Sequence, residues 1–182
     1  MVATDPSTTA LVTRTVAPSG TRRIAAALAA FALMLLASAS QAFAASNKVR
    51  ITSLGDVAFG SIVNTAVDAV RNQSVCLFAD TNTNGYNITA IGTGPGGAFQ
   101  LASGSDAMDY DVQWSSTSGQ SSGSQLSPNV PLTGQVSSAT QQTCSNGPAT
   151  TASLVLILRS ATLSSANAGT YSGTLTLVVG AE

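Results

Sequence analysis

Ala168-Gly169-Thr170-Tyr171-Ser172-Gly173-Thr174-Leu175-Thr176-Leu177-Val178-Val179 is the stretch whose reading decides the fold. Small turn-forming residues lead into an alternation in which Tyr171, Gly173, Leu175, Leu177 and Val179 share one face. A period of two predicts a half-buried β-strand. Placed so late in the sequence, this strand must find its neighbours earlier in the chain or on another protein.

Working outward, short strand patterns recur between turn signals. Val49 and Ile51 alternate with Lys48, Arg50 and Thr52, and Val57, Phe59 and Ile62 mark another short segment. Residues 74–79 and 86–91 flank Asp80-Thr81-Asn82-Thr83-Asn84-Gly85, whose Asn84-Gly85 pair tolerates positive φ and predicts a hairpin. A glycine-rich connection follows at 92–97, then a brief strand at 99–101. Met108, Tyr110, Val112 and Trp114 alternate with Asp109, Asp111 and Gln113, which predicts a strand with one wet face. The serine and glycine run at 115–124 reads as a mobile loop. Residues 130–136 form a further strand, 137–151 a polar connection holding Cys144, and 152–158 a strand apolar enough to be buried on both faces. Many short strands and frequent turns predict an all-β, immunoglobulin-like β-sandwich; a closed barrel is the alternative. No internal repeat of fixed period is present.

At the other end, Arg22-Arg23 precede an uncharged apolar run at 24–39 and the small-residue stretch Ser40-Gln41-Ala42-Phe43-Ala44. This is the pattern of a secretory signal peptide over residues 1–44, with cleavage after Ala44 and a single domain at 45–182. The alternative is a membrane anchor, but the run falls short of the roughly 20 apolar residues that a span needs. General secretion fits better than twin-arginine export, since Ala25 and Ala26 stand where that signal wants bulkier residues.

The whole chain of 182 residues carries a formal net charge of −1 at pH 7 and no histidine. Beyond residue 44, Lys48, Arg50, Arg71 and Arg159 face a larger set of acids: Asp56, Asp68, Asp80, Asp106, Asp109, Asp111 and Glu182. No basic patch exists for nucleic acid. The two cysteines, Cys76 and Cys144, both fall in sequence bound for an oxidising compartment, so one disulfide is the default reading. Free thiols or a metal pair are the alternative, for which no other soft ligand is available.

Several segments resemble subunits of archaic chaperone-usher pili, the group carrying the spore coat protein U domain. The resemblance rests on Val57-Ala58-Phe59-Gly60-Ser61, Asn72-Gln73-Ser74-Val75-Cys76, Tyr86-Asn87-Ile88-Thr89-Ala90, Tyr110-Asp111-Val112 and the terminal stretch quoted above, in that order. It implies a pilin-type sandwich that lacks its last strand. The gap beside the terminal strand would be filled first by a periplasmic chaperone and then by an extension of the next subunit. Tyr171, Gly173, Leu175, Leu177 and Val179 would line the receiving edge, and Val49 and Ile51 are the candidates for a donated strand. Two departures stand out: the family commonly pairs its cysteines near the mature N-terminus, and the stretch from Ala45 to Phe59 is short for both a donor extension and a first strand.

The catalytic inventory is thin. Without histidine, triad-type nucleophilic catalysis has no base. Asp109 and Asp111 share a strand face and could pair or bind calcium, but a solvated face is the simpler reading. Asp80 to Gly85 matches the first half of a calcium loop, yet Ile91 stands where the bidentate Glu belongs. Tyr110 with Trp114 could form a sugar platform or be core. The sequence therefore points to a non-enzymatic, exported structural subunit of a pilus or surface fibre, without cofactor or metal, partnered by chaperone, outer-membrane usher and other subunits. A self-completed adhesin or coat-type surface-binding module is the alternative.

Overall fold

The computed structural model describes residues 47–182. The expected signal peptide at 1–44, its helix and its cleavage site lie outside the described residues. Ten strands account for most of the regular structure: β1 (Lys48–Thr52), β2 (Ala69–Asp80), β3 (Gly85–Ile91), β4 (Gln100–Ser103), β5 (Asp106–Asp109), β6 (Asp111–Ser115), β7 (Ser124–Gln125), β8 (Leu132–Val136), β9 (Ala152–Leu158) and β10 (Thr176–Ala181). A five-stranded antiparallel sheet runs β1-β2-β9-β6-β7, a three-stranded one β10-β3-β8, and β4 pairs with β5. The sheets pack as an immunoglobulin-like β-sandwich, as the alternation predicts.

The core is what those alternations bury. Val75, Leu77 and Ala79 of β2, Tyr86, Ile88 and Ala90 of β3, Val112 and Trp114 of β6, and Leu154, Leu156 and Leu158 of β9 form one cluster. A buried indole N–H is costly unless it finds an acceptor, and Trp114 Nε1 donates to the Tyr86 hydroxyl at 2.9 Å. The two rings meet edge to face, 6.4 Å between centroids. Burial pushes the Tyr86 phenol up to about 12, with the Trp114 hydrogen bond acting in the opposite direction. All seven residues of β9 are buried, as its composition predicts.

Four expectations are corrected. Asp80 to Gly85 is not a hairpin: β3 pairs with β10 and β8, and the turn carries the chain from one sheet to the other. This arch sets the apolar faces of β2 and β3 against each other, while β2 takes β1 and β9 as neighbours. Asn84 sits at φ 54°, the conformation its residue type tolerates, and the Gly85 N–H is tied to Thr81 Oγ1 at 2.7 Å.

The run 108–114 is two strands rather than one, because Tyr110 falls between β5 and β6, where the chain changes partner from β4 to β9. The serine and glycine loop is pinned, not loose. Ser153 Oγ, fully buried, donates to the Thr117 carbonyl and accepts from the Gln120 N–H, each at 3.0 Å. The Gly119 N–H donates to Ser74 Oγ at 3.1 Å. Lastly, a short helix, α1 (Ser160–Ser165), buries Leu163 between β9 and the terminal region.

On the outer face of β2, Cys76 is bonded to Cys144, with a sequence separation of 68. In the chain-entropy model closing so long a loop stabilises by about 4 kcal/mol. The staple holds residues 137–151 against β2 together with Ala139 and Phe78. Thr151 Oγ1 accepts the Leu77 N–H and donates to the Leu77 carbonyl, both at 2.9 Å.

Candidate acceptor groove

The larger sheet has β1 and β7 at its margins and the smaller has β10 and β8; on one side β1 and β10 lie near each other without pairing as strands. β10 pairs with β3 along its whole length, Thr176 opposite Ile91 through Ala181 opposite Tyr86, and its other margin has no strand partner among the described residues. Such a margin offers unused backbone donors and acceptors.

Beside it lies a groove of about 1010 Å³. Residues 54–62 form one wall and residues 166–175 with Leu177 the other, over a floor that includes Met108, Tyr110, Leu154, Leu156, Leu158 and Leu163. Four of the five residues expected on the receiving edge, Tyr171, Gly173, Leu175 and Leu177, line it. Val179 lies outside the lining and packs half-buried against the core. The regular strand begins only at Thr176; before it the wall is held by Ser172, which exchanges two backbone hydrogen bonds with Ala102 of β4 (2.8 and 3.0 Å). Gly173 is a glycine because β4 passes directly beneath: a Cβ there would lie 2.7 Å from the Gln100 carbonyl oxygen and 3.1 Å from Leu101 Cδ2. The Tyr171 hydroxyl donates to the Asn167 carbonyl at 3.0 Å, which fixes the entry to this wall.

Val49 and Ile51 do not stand free. β1 pairs with β2, placing Val49 opposite Ala79 and Ile51 opposite Leu77, and neither residue lines the groove. In the single chain these two residues complete their own sheet, so the reading of them as a free donor extension does not describe this fold. Residues 57–62, expected as a strand, belong to no strand and form the opposite wall instead.

An ion cluster lies at the start of α1. Arg159 donates from Nε to Asp111 at 2.6 Å and from Nη1 to Asp68 at 2.8 Å. The Ser160 N–H, at the start of α1, donates to the other oxygen of Asp68 at 2.8 Å. That backbone bond, followed by the Arg159 hydrogen bond, holds the Asp68 carboxyl below its ordinary value, and the two carboxylates hold the Arg159 guanidinium up. The cluster is solvent-exposed, and its role is to tie the start of β2 to the end of β9.

No group of three ligating side chains among the described residues could hold a metal ion. Asp111 is committed to Arg159, and Trp114 and Tyr110 are buried, so they offer no exposed sugar platform. Among the described residues no helix is long and apolar enough to cross a membrane.

The floor and the second wall were not read as site residues from the sequence. Leu154, Leu156 and Leu158 carry only a signal of burial, which does not distinguish a covered face from a groove floor. The signal for the wall lay in Val57, Phe59 and Ile62, whose pattern predicts a short strand segment although Ile62 breaks the spacing of two. No protein-family model matches the chain, and no curated protein matches it. Among solved structures it is similar to a chain of a structure described as a chaperone–tip adhesin complex vital for synergistic activation of CFA/I fimbriae biogenesis. The identity is 14% and the TM-score 0.48, over 75% of this chain and 41% of that one, a likeness too distant to carry an assignment.

Proposed function

We propose that this chain is a secreted structural subunit of an extracellular pilus or surface fibre, assembled by strand complementation. One observation carries the reading: the margin of β10 that has no strand partner among the described residues continues, through Leu177, into the wall of a groove with an apolar floor. An extended segment laid there would satisfy backbone groups and bury apolar side chains in one step. Each side chain fully buried from such a segment would contribute about 1.5–3 kcal/mol before ordering costs. In the cell the first occupant would be a periplasmic chaperone, and an outer-membrane usher would exchange it for a segment of another subunit at the cell surface. The ordered motifs that resemble spore coat protein U domains support the same scheme.

The test is to produce the chain in a periplasm with and without a periplasmic chaperone of the chaperone-usher class. Alone it should be degraded or aggregate; with the chaperone, or with a peptide copying the alternating apolar segment of a co-encoded subunit, it should be recovered as a soluble complex. A stable monomer indifferent to every such partner would end the proposal. One observation favours a second reading, a self-completed adhesin or coat-type binding module: β1 spends Val49 and Ile51 within its own sheet. Recovery of that stable monomer would favour it.

A further inference from the structure

Backbone pairing along β2 changes character at Val75. The Val75 carbonyl accepts from the Thr151 N–H at 2.8 Å, and both backbone groups of Leu77 turn to Thr151 Oγ1. Alternation in an antiparallel ladder therefore directs Cys76, Phe78 and Asp80 toward β1, and Ser74, Asn72 and Val70 toward the same margin. Opposite these last three stand residues 54–62, the continuation of β1, yet no backbone–backbone hydrogen bond reaches those residues among the described ones.

Side chains fill the gap. Arg71 donates from Nη2 to the Phe59 carbonyl at 2.8 Å and from Nε to the Ala58 carbonyl at 3.3 Å. Its guanidinium carbon lies 5.9 Å from the centre of the Phe59 ring. With its amide turned to suit, Gln73 accepts from the Gly55 N–H at 2.8 Å and donates to the Gly55 carbonyl at 3.2 Å. One left-handed position precedes the segment, Ser53 at φ 66°, and another lies within it, Gly60 at φ 73°. Ser53 pays a steric cost that a glycine would not. Val57, Phe59 and Ile62 lean half-buried on the core cluster.

We infer that residues 54–62 are a hinged wall of the groove, latched by Arg71. Segments held by few, solvent-exposed bonds open at low free-energy cost. Here those bonds converge on one guanidinium and one amide, and left-handed residues stand just before the segment and within it. Releasing Arg71 frees the wall from β2 and bares the floor at Leu154, Leu156 and Leu158. The guanidinium suits the task because it bonds two carbonyls and lies over a ring at once, which an ammonium does not reproduce.

The inference concerns the groove of the proposed assembly, but its test needs no partner strand, so the two fail separately. Wild type, Arg71→Ala and Arg71→Lys are digested with thermolysin, which cuts before large apolar residues, and titrated with an anilinonaphthalene dye. Cleavage before Val57, Phe59 or Ile62 should be about tenfold faster in Arg71→Ala, with higher dye fluorescence and intermediate behaviour in Arg71→Lys. The near-ultraviolet signal of the Trp114–Tyr86 pair should be unchanged in all three. Unchanged cleavage in a folded Arg71→Ala would overturn the latch. If that variant does not fold, Arg71→Lys decides: cleavage faster than wild type supports the latch, and cleavage equal to wild type overturns it.

Discussion

From Val75 onward β2 is an interior strand; before Val75 it borders an opening. The later half buries Val75, Leu77 and Ala79 inward, bonds Cys76 outward to Cys144, and is flanked by β1 on one margin and Thr151 on the other. The earlier half turns Arg71 and Gln73 toward the groove wall and keeps backbone partners only on the β9 side. One strand thus carries both the most constrained and the least constrained parts of the sandwich. The difference teaches that the opening is built in: the same strand that anchors the core carries polar side chains where a closed sandwich would have apolar ones.

The largest effects belong to the closed half. Trp114→Ala removes a fully buried ring and orphans the Tyr86 hydroxyl. It should cost about 3–5 kcal/mol in urea unfolding, and a loss near 1 kcal/mol would mean that the core is as loose as the groove. Replacing both Cys76 and Cys144 by Ser should cost about 2–5 kcal/mol by the same measurement, with the fold retained if the apolar core suffices.

On the open side the numbers shrink. Gly173→Ala forces a Cβ against the Gln100 carbonyl. It should cost about 1–3 kcal/mol and loosen the wall, seen as faster amide exchange at Ala102 and Ser172. Leu175→Ala, half-buried in the groove wall, should cost about 1 kcal/mol in the free chain. A cost matching that of Trp114→Ala would show the groove already filled.

The smallest effect is electrostatic. Because the folded state holds Asp68 below its ordinary value of 3.8, the stabilisation is present above that value and is lost as pH falls through the lower, folded one. Thermal melts should therefore drop more steeply with acid in the wild type than in Asp68→Asn. Parallel profiles would show that the Arg159 cluster does not tie the start of β2 to the end of β9.

Much of this architecture was legible beforehand. The alternation of β10, the apolar run of β9 and the pairing of the only two cysteines follow from local pattern and chemistry. The arch between β2 and β3 was not legible, because an Asn-Gly turn serves a hairpin and a sheet-to-sheet crossing equally well. The break at Tyr110 was hidden for a similar reason: changing sheets leaves the inward and outward alternation intact. The site was half visible. Tyr171, Gly173, Leu175 and Leu177 were marked by period, whereas the period in residues 54–62 breaks at Ile62, and their attachments are made by the side chains of another strand.

The sequence by itself determined which residues face inward, because burial of alternate side chains is a local property of an extended chain. It determined also that no histidine is present to act as a base. Only the tertiary structure decided that β1 completes its own sheet, that 54–62 makes no backbone pairing with β2, and that one margin of β10 has no strand partner among the described residues. Those are matters of which backbone groups find partners across large sequence separations, and a period of two is the same whether or not a neighbour arrives.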